Sequence, residues 1–409
     1  MDSATRKPIL ICGAGLASLL LAQSLLRAKI PFLIFERDAG VSFRAQGYRL
    51  RLSRECLDAV EATLTPDHWQ RFWDTCGKTA GVGFAALDAI TGNDVTEARK
   101  YEGTPGQQRD HEAKGGRMDL SSRDGKVVGI ARGEMRELFM SGCENYVRWS
   151  HHVTGYELTG SGVRAVFADG SKSVEGEMLV GGEGIYSKVA KQVSNGKIVT
   201  YDTGARGIHG KASTTAYRDL GEGVWRVVDE RVPNGKVFLI TNVRANDMDD
   251  PSVEFGWTMG AQPGVIAPPN EDYAIIGKPA ADIAKSLTKD WHSKFKPLFD
   301  KMNEAEAAFW KITCSTPTGV PDWPNEPRVT VIGDAAHSMT PAGGIGANTA
   351  VRDSALLGRL LVEAGGYAEG ITERYEREMR VYASEAVRSS YGMAKMQFGI
   401  VLDEKSPTV

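Results

Sequence analysis

The stretch from Lys7 to Arg37 restricts the fold of this chain more than any other. It reads Lys7-Pro-Ile-Leu-Ile-Cys-Gly13-Ala-Gly15-Leu-Ala-Ser18, continues as Leu-Leu-Leu-Ala-Gln-Ser-Leu-Leu-Arg27, and closes at Phe32-Leu-Ile-Phe-Glu36-Arg37. An apolar run of strand length, a glycine turn, an apolar helix and a second apolar run ending in an acid specify a dinucleotide site. Gly13 permits the turn, and Gly15 lets backbone N–H groups approach a pyrophosphate at the helix N-terminus, where the dipole favours negative charge. Ser18 stands where a third glycine is usual and is small enough for close helix–strand packing. Glu36 follows it by 36 − 18 = 18 positions, near the spacing at which a carboxylate accepts hydrogen bonds from ribose hydroxyls. Arg37, beside it, is a further cofactor-side candidate.

The competing reading of Ile9 to Leu26 is a signal anchor or membrane span. Two glycines, Ser18 and Gln23 interrupt that run, and a strand with a terminal acid follows at the right distance. At 409 residues the chain can bury a large core in two interleaved domains. A formal net charge of −3, with both signs interspersed, gives no electrostatic case for nucleic acid or an anionic membrane surface. Five scattered cysteines (Cys12, Cys56, Cys76, Cys143, Cys314) lack CxxC spacing. They argue for reduced thiols in a cytoplasmic protein and against a disulfide framework or a zinc site.

Further along, Tyr48 to Leu52 alternates as a half-buried strand does, with Arg49 and Arg51 on one face, and Ser53 caps a helix carrying Leu57, Val60 and Leu64. A strand is expected around Val82 to Leu87 and loose loops from Lys100 to Gly116. A helix is expected to begin at Val127-Val-Gly-Ile-Ala-Arg132 and carry Met135, Leu138 and Phe139. Strands follow at 147–150, 155–158 and 163–168. Glu177 to Val189 is another strand, glycine turn and helix start, with no acid-ended strand behind it that would make a second dinucleotide domain. Segments 205–210, 223–228, 237–243 and 252–259 alternate as an antiparallel sheet does, and 280–311 reads as helical.

The second decisive segment is Arg328-Val-Thr-Val-Ile-Gly333-Asp334-Ala-Ala-His337-Ser-Met-Thr-Pro341-Ala-Gly343-Gly344-Ile-Gly346-Ala347-Asn348. Here a strand ends in Gly-Asp, and a glycine-rich turn opens a helix over about 347–364. Asp334 suits polyol hydroxyls, and the N–H groups from Gly344 to Asn348 suit a negatively charged ring edge. Two such segments about 300 residues apart, each touching one end of a dinucleotide, suggest FAD. A last helix, 370–400, carries alternating charges and is expected on the surface or against a partner.

Gly13-x-Gly15 with Glu36, Arg132 and Arg136, the Gly182-Glu183-Gly184 turn with Ser187, and Gly333-Asp334 with Pro341-x-x-Gly344-x-Gly346-x-Asn348 resemble the class A flavin-dependent monooxygenases, relatives of para-hydroxybenzoate hydroxylase. Order and spacing agree over nearly the whole chain. Asp202 to Lys211 also resembles fungal members of natural-product pathways.

The resemblance implies an α/β fold: a Rossmann-like FAD-binding domain with an interleaved antiparallel β-sheet substrate domain and a C-terminal helix. On that plan residues 1–80, 117–199 and 316–365 bind FAD, 81–116 and 200–315 form the substrate domain, and 366–409 the helical segment. It implies non-covalent FAD, transient NADPH or NADH, O2, and oxygen transfer through a flavin C4a-hydroperoxide to an apolar aromatic or polycyclic small molecule, by hydroxylation or epoxidation. The ribose acid falls on Glu36, the ribityl-contacting aspartate on Asp334 and a flavin-contacting arginine on Arg132. Arg44 and Gly47 fall beside the ring, Pro341 near its reacting carbon, and the peptide groups after Gly344 at its pyrimidine edge. Ser18 and Glu183 depart from the family's glycine and aspartate.

For acid–base work the candidates are Arg206 and His209, whose odd separation puts them on opposite faces of a regular strand unless a bulge at Gly207 realigns them. Trp225, Phe238, Phe255 and Trp257 could wall an apolar pocket or be plain core. The neighbours His151 and His152 point apart and make no metal site; His337 reads as structural. A halogenase or prenyl-chain reductase on the same fold, or a flavin-free prenyl or lipid carrier, are the alternatives. The halogenase Trp-x-Trp-x-Ile-Pro signature is missing, and a carrier has no use for Glu36, Asp334 and the Pro341 turn.

Overall fold

A computed structural model describes residues 6–40, 49–80, 85–96, 121–267 and 275–409. In chain order these form β1 (Ile9–Cys12), α1 (Leu16–Arg27), β2 (Phe32–Phe35), β3 (Arg49–Leu52), α2 (Arg54–Thr63), α3 (Pro66–Thr75), β4 (Gly77–Ala80), β5 (Ala85–Asp88), β6 (Lys126–Ala131) and α4 (Arg132–Met140). Then come β7 (Val147–Arg148), β8 (Val153–Leu158), β9 (Val163–Phe167), β10 (Met178–Gly181), α5 (Lys188–Val193), β11 (Thr200–Ser213), β12 (Gly223–Asp229), β13 (Val237–Val243) and β14 (Glu254–Ala261). The chain closes with α6 (Lys278–Leu287), α7 (Lys296–Asp300), β15 (Ala308–Ser315), β16 (Val329–Val331), α8 (Asp334–His337), α9 (Gly346–Glu363) and α10 (Ile371–Phe398).

β1 is buried at every position because it lies inside a five-stranded sheet, ordered β16-β10-β1-β2-β7, in which each pairing is parallel. Helices cover such a sheet, so its strands read as continuous apolar runs. α1 and α9 pack together over it, and Ser354 Oγ of α9 donates to Ala17 O at 2.7 Å. The carboxyl ends of the neighbouring strands β1, β10 and β16 lead into Gly13, Gly182 and Gly333, which brings three glycine turns to one edge of the sheet. Ligands of open α/β sheets bind at that edge.

The second sheet is ordered β15-β11-β14-β13-β12-β5 and is antiparallel except where β12 meets β5. Alternation gives it two different faces. One carries Ile208, Leu239, Phe255, Trp257 and Met259 into a core with Ala281, Trp291, Phe295 and Leu298 of the α6–α7 region. The other carries Val228, Phe238 and Ile312 against Ala342, Met393 and Phe398. It therefore faces the Pro341 loop and α10. A mixed α/β fold with this pair of sheets is the architecture expected from the sequence.

Two local expectations need correction and a third is met only in part. Residues 127–131 belong to β6, held between β3 and β4; the β-branched Val127, Val128 and Ile130 prefer the pleated surface, and the helix starts at Arg132. The 280–311 stretch is two short helices followed by β15, where Phe309 and Ile312 are buried; Pro279 and Pro297 start those helices and break the continuous pattern. The last helix lies at the surface with its charged face outward, as Glu373, Arg374, Arg377 and Arg388 are exposed, but its other face is in the core: Tyr375, Met379, Ala383 and Val387, four residues apart, are fully buried. Burying each large apolar side chain contributes about 1.5–3 kcal/mol, so this face of α10 is part of the core. Of the expected strand at 82–87 the structure describes Ala85 onward. The 100–116 loops lie outside the described residues.

Candidate functional site

At the β1–α1 turn, Gly13 has φ +87° and lies so close to β10 that a Cβ there would sit 2.6 Å from Gly182 O. Only glycine tolerates both conditions. Gly15 is the extended residue before α1, and Ser18 packs where a Cβ on Gly182 would meet its Oγ at 2.3 Å. The serine thus occupies the helix–strand contact, buried, with its hydroxyl bonded to nothing among the described residues.

Glu36 ends β2 and turns back onto this loop. Its Oε2 accepts from Ala14 N at 2.7 Å and its Oε1 from Asp38 N at 2.9 Å. Arg136 of α4 lies 3.9 Å from the same carboxylate and donates from Nε to Ala14 O at 3.0 Å. The acid is therefore fixed beside the turn by its own chain. Arg37 is exposed, 4.0 Å from Asp38.

At the other end, Gly333 turns the chain from β16 into α8, and its N–H donates to Asp353 Oδ2 of α9 at 2.7 Å. The same oxygen lies 2.6 Å from His337 Nε2, and Tyr382 of α10 donates to Oδ1 at 2.7 Å. All four groups are buried, so Asp353 fastens the turn from three sides. Burial alone would lower the His337 pKa, but the charge and hydrogen bond of Asp353 outweigh it and raise it. The structural reading of His337 matches this geometry.

Asp334, next in the chain, is accessible and yet enclosed by protein at longer range. A side chain on the wall of a deep cleft is disposed in this way. Its carboxylate accepts no hydrogen bond from a described residue. Burial pushes its pKa up, and the charges of His337 and Arg132 pull it down. Pro341 and Gly344 belong to the loop before α9, and Gly346 and Ala347 start that helix. Asn348 clamps this loop: Nδ2 donates to Gly344 O at 2.8 Å and to Arg51 O at 3.1 Å, and Oδ1 accepts from Ser53 N at 2.8 Å. Arg51 reaches Gly343 O at 3.2 Å from β3.

These two ends fit a dinucleotide with a flavin at its far end. The model of the family described as "FAD binding domain" matches residues 135–390. The chain belongs to the FAD binding domain family. It is 29% identical over 432 residues to the dual O-methyltransferase/FAD-dependent monooxygenase of Cercospora beticola, covering 97% of this chain and 47% of that protein. The chain thus spans about half the length of such dual relatives. It is 25% identical to an FAD-dependent monooxygenase of Trichoderma harzianum, over 93% of this chain and 87% of the relative. The fold is that of 2,6-dihydroxypyridine-3-hydroxylase from Arthrobacter nicotinovorans, with a TM-score of 0.71, 15% identity and coverage of 99% and 96%. A Klebsiella pneumoniae protein complexed with FAD and uric acid aligns with the same TM-score, 0.71, at 16% identity over 96% of this chain and 89% of that one.

Within this FAD domain, Glu183 bends back to accept from Val189 N at 3.0 Å at the start of α5, and burial raises its pKa. Arg132 begins α4, and its charge acts on both Asp334 and His209. His209 lies on the cleft-facing side of β11, buried, its pKa lowered to about 4 by burial first and then by Lys211 and Arg132. Arg206 lies on the opposite face, opposite Ala261 and Lys311, and donates from Nη1 and Nη2 to Asp202 at 2.7 and 3.2 Å. The strand irregularity falls between Asp202 and Arg206 rather than at Gly207, so the two candidates keep opposite faces. Phe255 and Trp257 are core, and Phe238 lies on the cleft side. Arg44 and Gly47 lie outside the described residues. Sequence reasoning did not single out Asp353; its role comes from the packing of helices distant in sequence.

Proposed function

We propose that this chain is an FAD-dependent monooxygenase that uses NADPH or NADH and O2 to place one oxygen atom on an apolar aromatic or polycyclic small molecule, in fungal-type secondary metabolism. The observation that carries the reading is the meeting of the two sheets: three glycine turns stand at one edge of the parallel sheet, and the face of the antiparallel sheet that carries His209 packs Phe238 and Ile312 against Ala342 of the Pro341 loop. Gly13, Gly15 and Glu36 would hold the adenosine half of FAD. Asp334, Arg132 and the Pro341 to Asn348 loop would hold the flavin half.

Bound there, FAD supplies the redox chemistry, drawing two electrons from the nicotinamide so that O2 yields one substrate oxygen and one water. The chain's own residues bind, orient and keep the site dry. Phe238, Ile240, Trp310 and Met393 form an apolar wall that excludes water. With a pKa of about 4, the His209 ring is neutral near pH 7 and can accept a hydrogen bond from a substrate hydroxyl. The positive charge of Arg132 favours a phenolate over a phenol at that position. Purified protein should be yellow or take up FAD, oxidise NADPH or NADH, and yield a product heavier by one oxygen atom in mass detection. Failure to bind FAD would overturn the reading. Nicotinamide oxidation that never oxygenates any aromatic or polycyclic compound tested would restrict it to an oxidase or reductase.

A further inference from the structure

Enclosed arginines in this chain are matched by carboxylates. Arg136 lies 3.9 Å from Glu36, Arg206 lies 2.7 Å from Asp202, and Arg244 is ion-paired with Asp247. Arg49 and Arg51, on one face of β3, break that pattern. Arg49 Nη2 donates to Gly129 O at 2.5 Å and Arg51 Nη2 to Gly343 O at 3.2 Å, while Arg49 Nε is shielded from solvent and bonded to no described residue. Among the described residues, neither has a carboxylate at ion-pair distance. Both side chains are enclosed by protein yet remain partly accessible, as on the wall of a cleft. A guanidinium stays charged at neutral pH, and a charge taken out of water is costly until an opposite charge meets it.

A third cation approaches from the other sheet. Gly129 of β6 and Gly77 of β4 pair in the same row as Arg51, and Arg49 reaches across that row from the next. A Cβ on Gly129 would lie 3.3 Å from Arg49 Nε, and one on Gly77 would collide with Arg49 Nη2 and lie 2.8 Å from Arg244 Nε. Two guanidinium groups, one from β3 and one from the end of β13, therefore lie side by side over a glycine pair. Burial first, and then the charge of Arg244, lower the Arg49 pKa to about 10, and the opposing pull of Glu134, Cys76 and Asp247 offsets this only in part. Asp247 is taken up by Arg244, and the exposed Glu134 accepts from Ala131 N at 3.3 Å. Arg244 follows β13, four residues beyond Ile240 of the apolar wall.

We propose that Arg49 and Arg244 form an anion site that takes the carboxylate of an aromatic acid. The inference rests on the monooxygenase reading and adds a negative charge to the substrate of that site. The carboxylate accepts from Arg49 Nε–H and from the Arg244 guanidinium, whose planar forks match a pair of oxygens. Arg51, on the same face, adds a further positive charge. The turns that suit the pyrophosphate of FAD, at Gly13 and Gly333, belong to the edge of the parallel sheet, so the anion met here is carried by another molecule. Its position beyond the apolar wall assigns it to the substrate.

The test titrates FAD-loaded protein near neutral pH with naphthoate and with methyl naphthoate, following flavin absorbance and melting temperature. Wild type should bind naphthoate at least about tenfold tighter than the ester, and naphthoate should raise its melting temperature. Arg49→Gln should weaken naphthoate about tenfold or more, the range of one hydrogen bond to a charged group, and leave the ester within about twofold. Without ligand it should melt no lower than wild type, because it removes an unpaired enclosed charge; a merely structural arginine would show the reverse. Arg244→Gln should weaken naphthoate by a similar factor. Acid and ester bound equally by wild type, or naphthoate affinity unchanged in Arg49→Gln, overturns the inference while leaving the monooxygenase reading in place. So does an Arg49→Gln variant that raises the KM for NADPH and spares naphthoate, which would give the anion site to the nicotinamide cofactor. Absence of FAD binding overturns both.

Discussion

Glu36 and Asp334 stand at the two ends of the proposed FAD site, and the protein treats them in opposite ways. Glu36 is engaged by Ala14 N, Asp38 N and Arg136 before any ligand is considered. Asp334 accepts nothing from a described residue and carries a raised pKa. The first is part of the turn that it serves. The second is held in place indirectly, through Asp353, His337 and the Gly333 N–H, and keeps its own oxygens available. The two candidates therefore differ in kind: one is distinguished by the bonds it makes within the fold, the other by oxygens left available.

The variant expected to have the largest effect removes the support behind Asp334. Asp353→Ala leaves the buried His337, Tyr382 and Gly333 N–H without their common acceptor and should cost about 3–5 kcal/mol of stability, read by denaturant unfolding. A loss below about 1 kcal/mol would mean that the flavin end is not fastened this way. The pH dependence has a defined sign. Because the folded His337 pKa is raised, its contribution is fully present below the unfolded value of 6.5 and is lost as pH rises through the folded one. Asp353→Ala should flatten that slope.

Glu36→Gln comes next. It presents an amide N–H₂ to one of two backbone donors, leaving that donor unsatisfied, and should destabilise the ligand-free protein by about 1–3 kcal/mol. Asp334→Asn should leave the ligand-free protein as stable as wild type or slightly more so at neutral pH. A group with a raised folded pKa costs stability once pH exceeds its ordinary value, 3.8 here, so the two proteins should converge below that pH. If Asp334→Asn destabilised the ligand-free protein more than Glu36→Gln, the contrast between the ends would fail.

The smallest effect concerns the substrate side. His209→Gln should preserve FAD affinity and lower turnover of a hydroxylated aromatic substrate about tenfold, by loss of one placed acceptor. In wild type that acceptor should be lost only as pH falls toward about 4. Turnover falling instead near pH 6.5 would show that His209 is more solvated than its burial indicates.

The β1-α1-β2 unit was legible because each of its parts has a local cause: apolar runs, a glycine with positive φ, an acid at a strand end. The Gly333 to Asn348 block was legible for the same reason. Asp353 was not, since an aspartate midway along an amphipathic helix carries no local mark; only the packing of α9 against α8 and α10 gives it a task. Trp310 was hidden in a stretch read as helical, because the helix-forming run Glu304-Ala-Glu-Ala-Ala308 leads directly into β15. Arg206 and His209 were separated correctly by strand periodicity, yet which face meets the cleft depends on where α10 and the Pro341 loop pack. Those contacts join residues far apart in sequence, where periodicity is silent.

The central claim is that a single FAD spans both ends, and it is tested most directly by half-ligand binding. ADP and FMN are each titrated into wild type, Glu36→Gln and Asp334→Asn, with FAD as the full ligand. Asp334→Asn should weaken FMN and FAD about tenfold and leave ADP unchanged, while Glu36→Gln should weaken ADP and FAD and leave FMN unchanged. Asp334→Asn with unaltered FMN affinity, or with ADP weakened as much as FMN, would contradict the account.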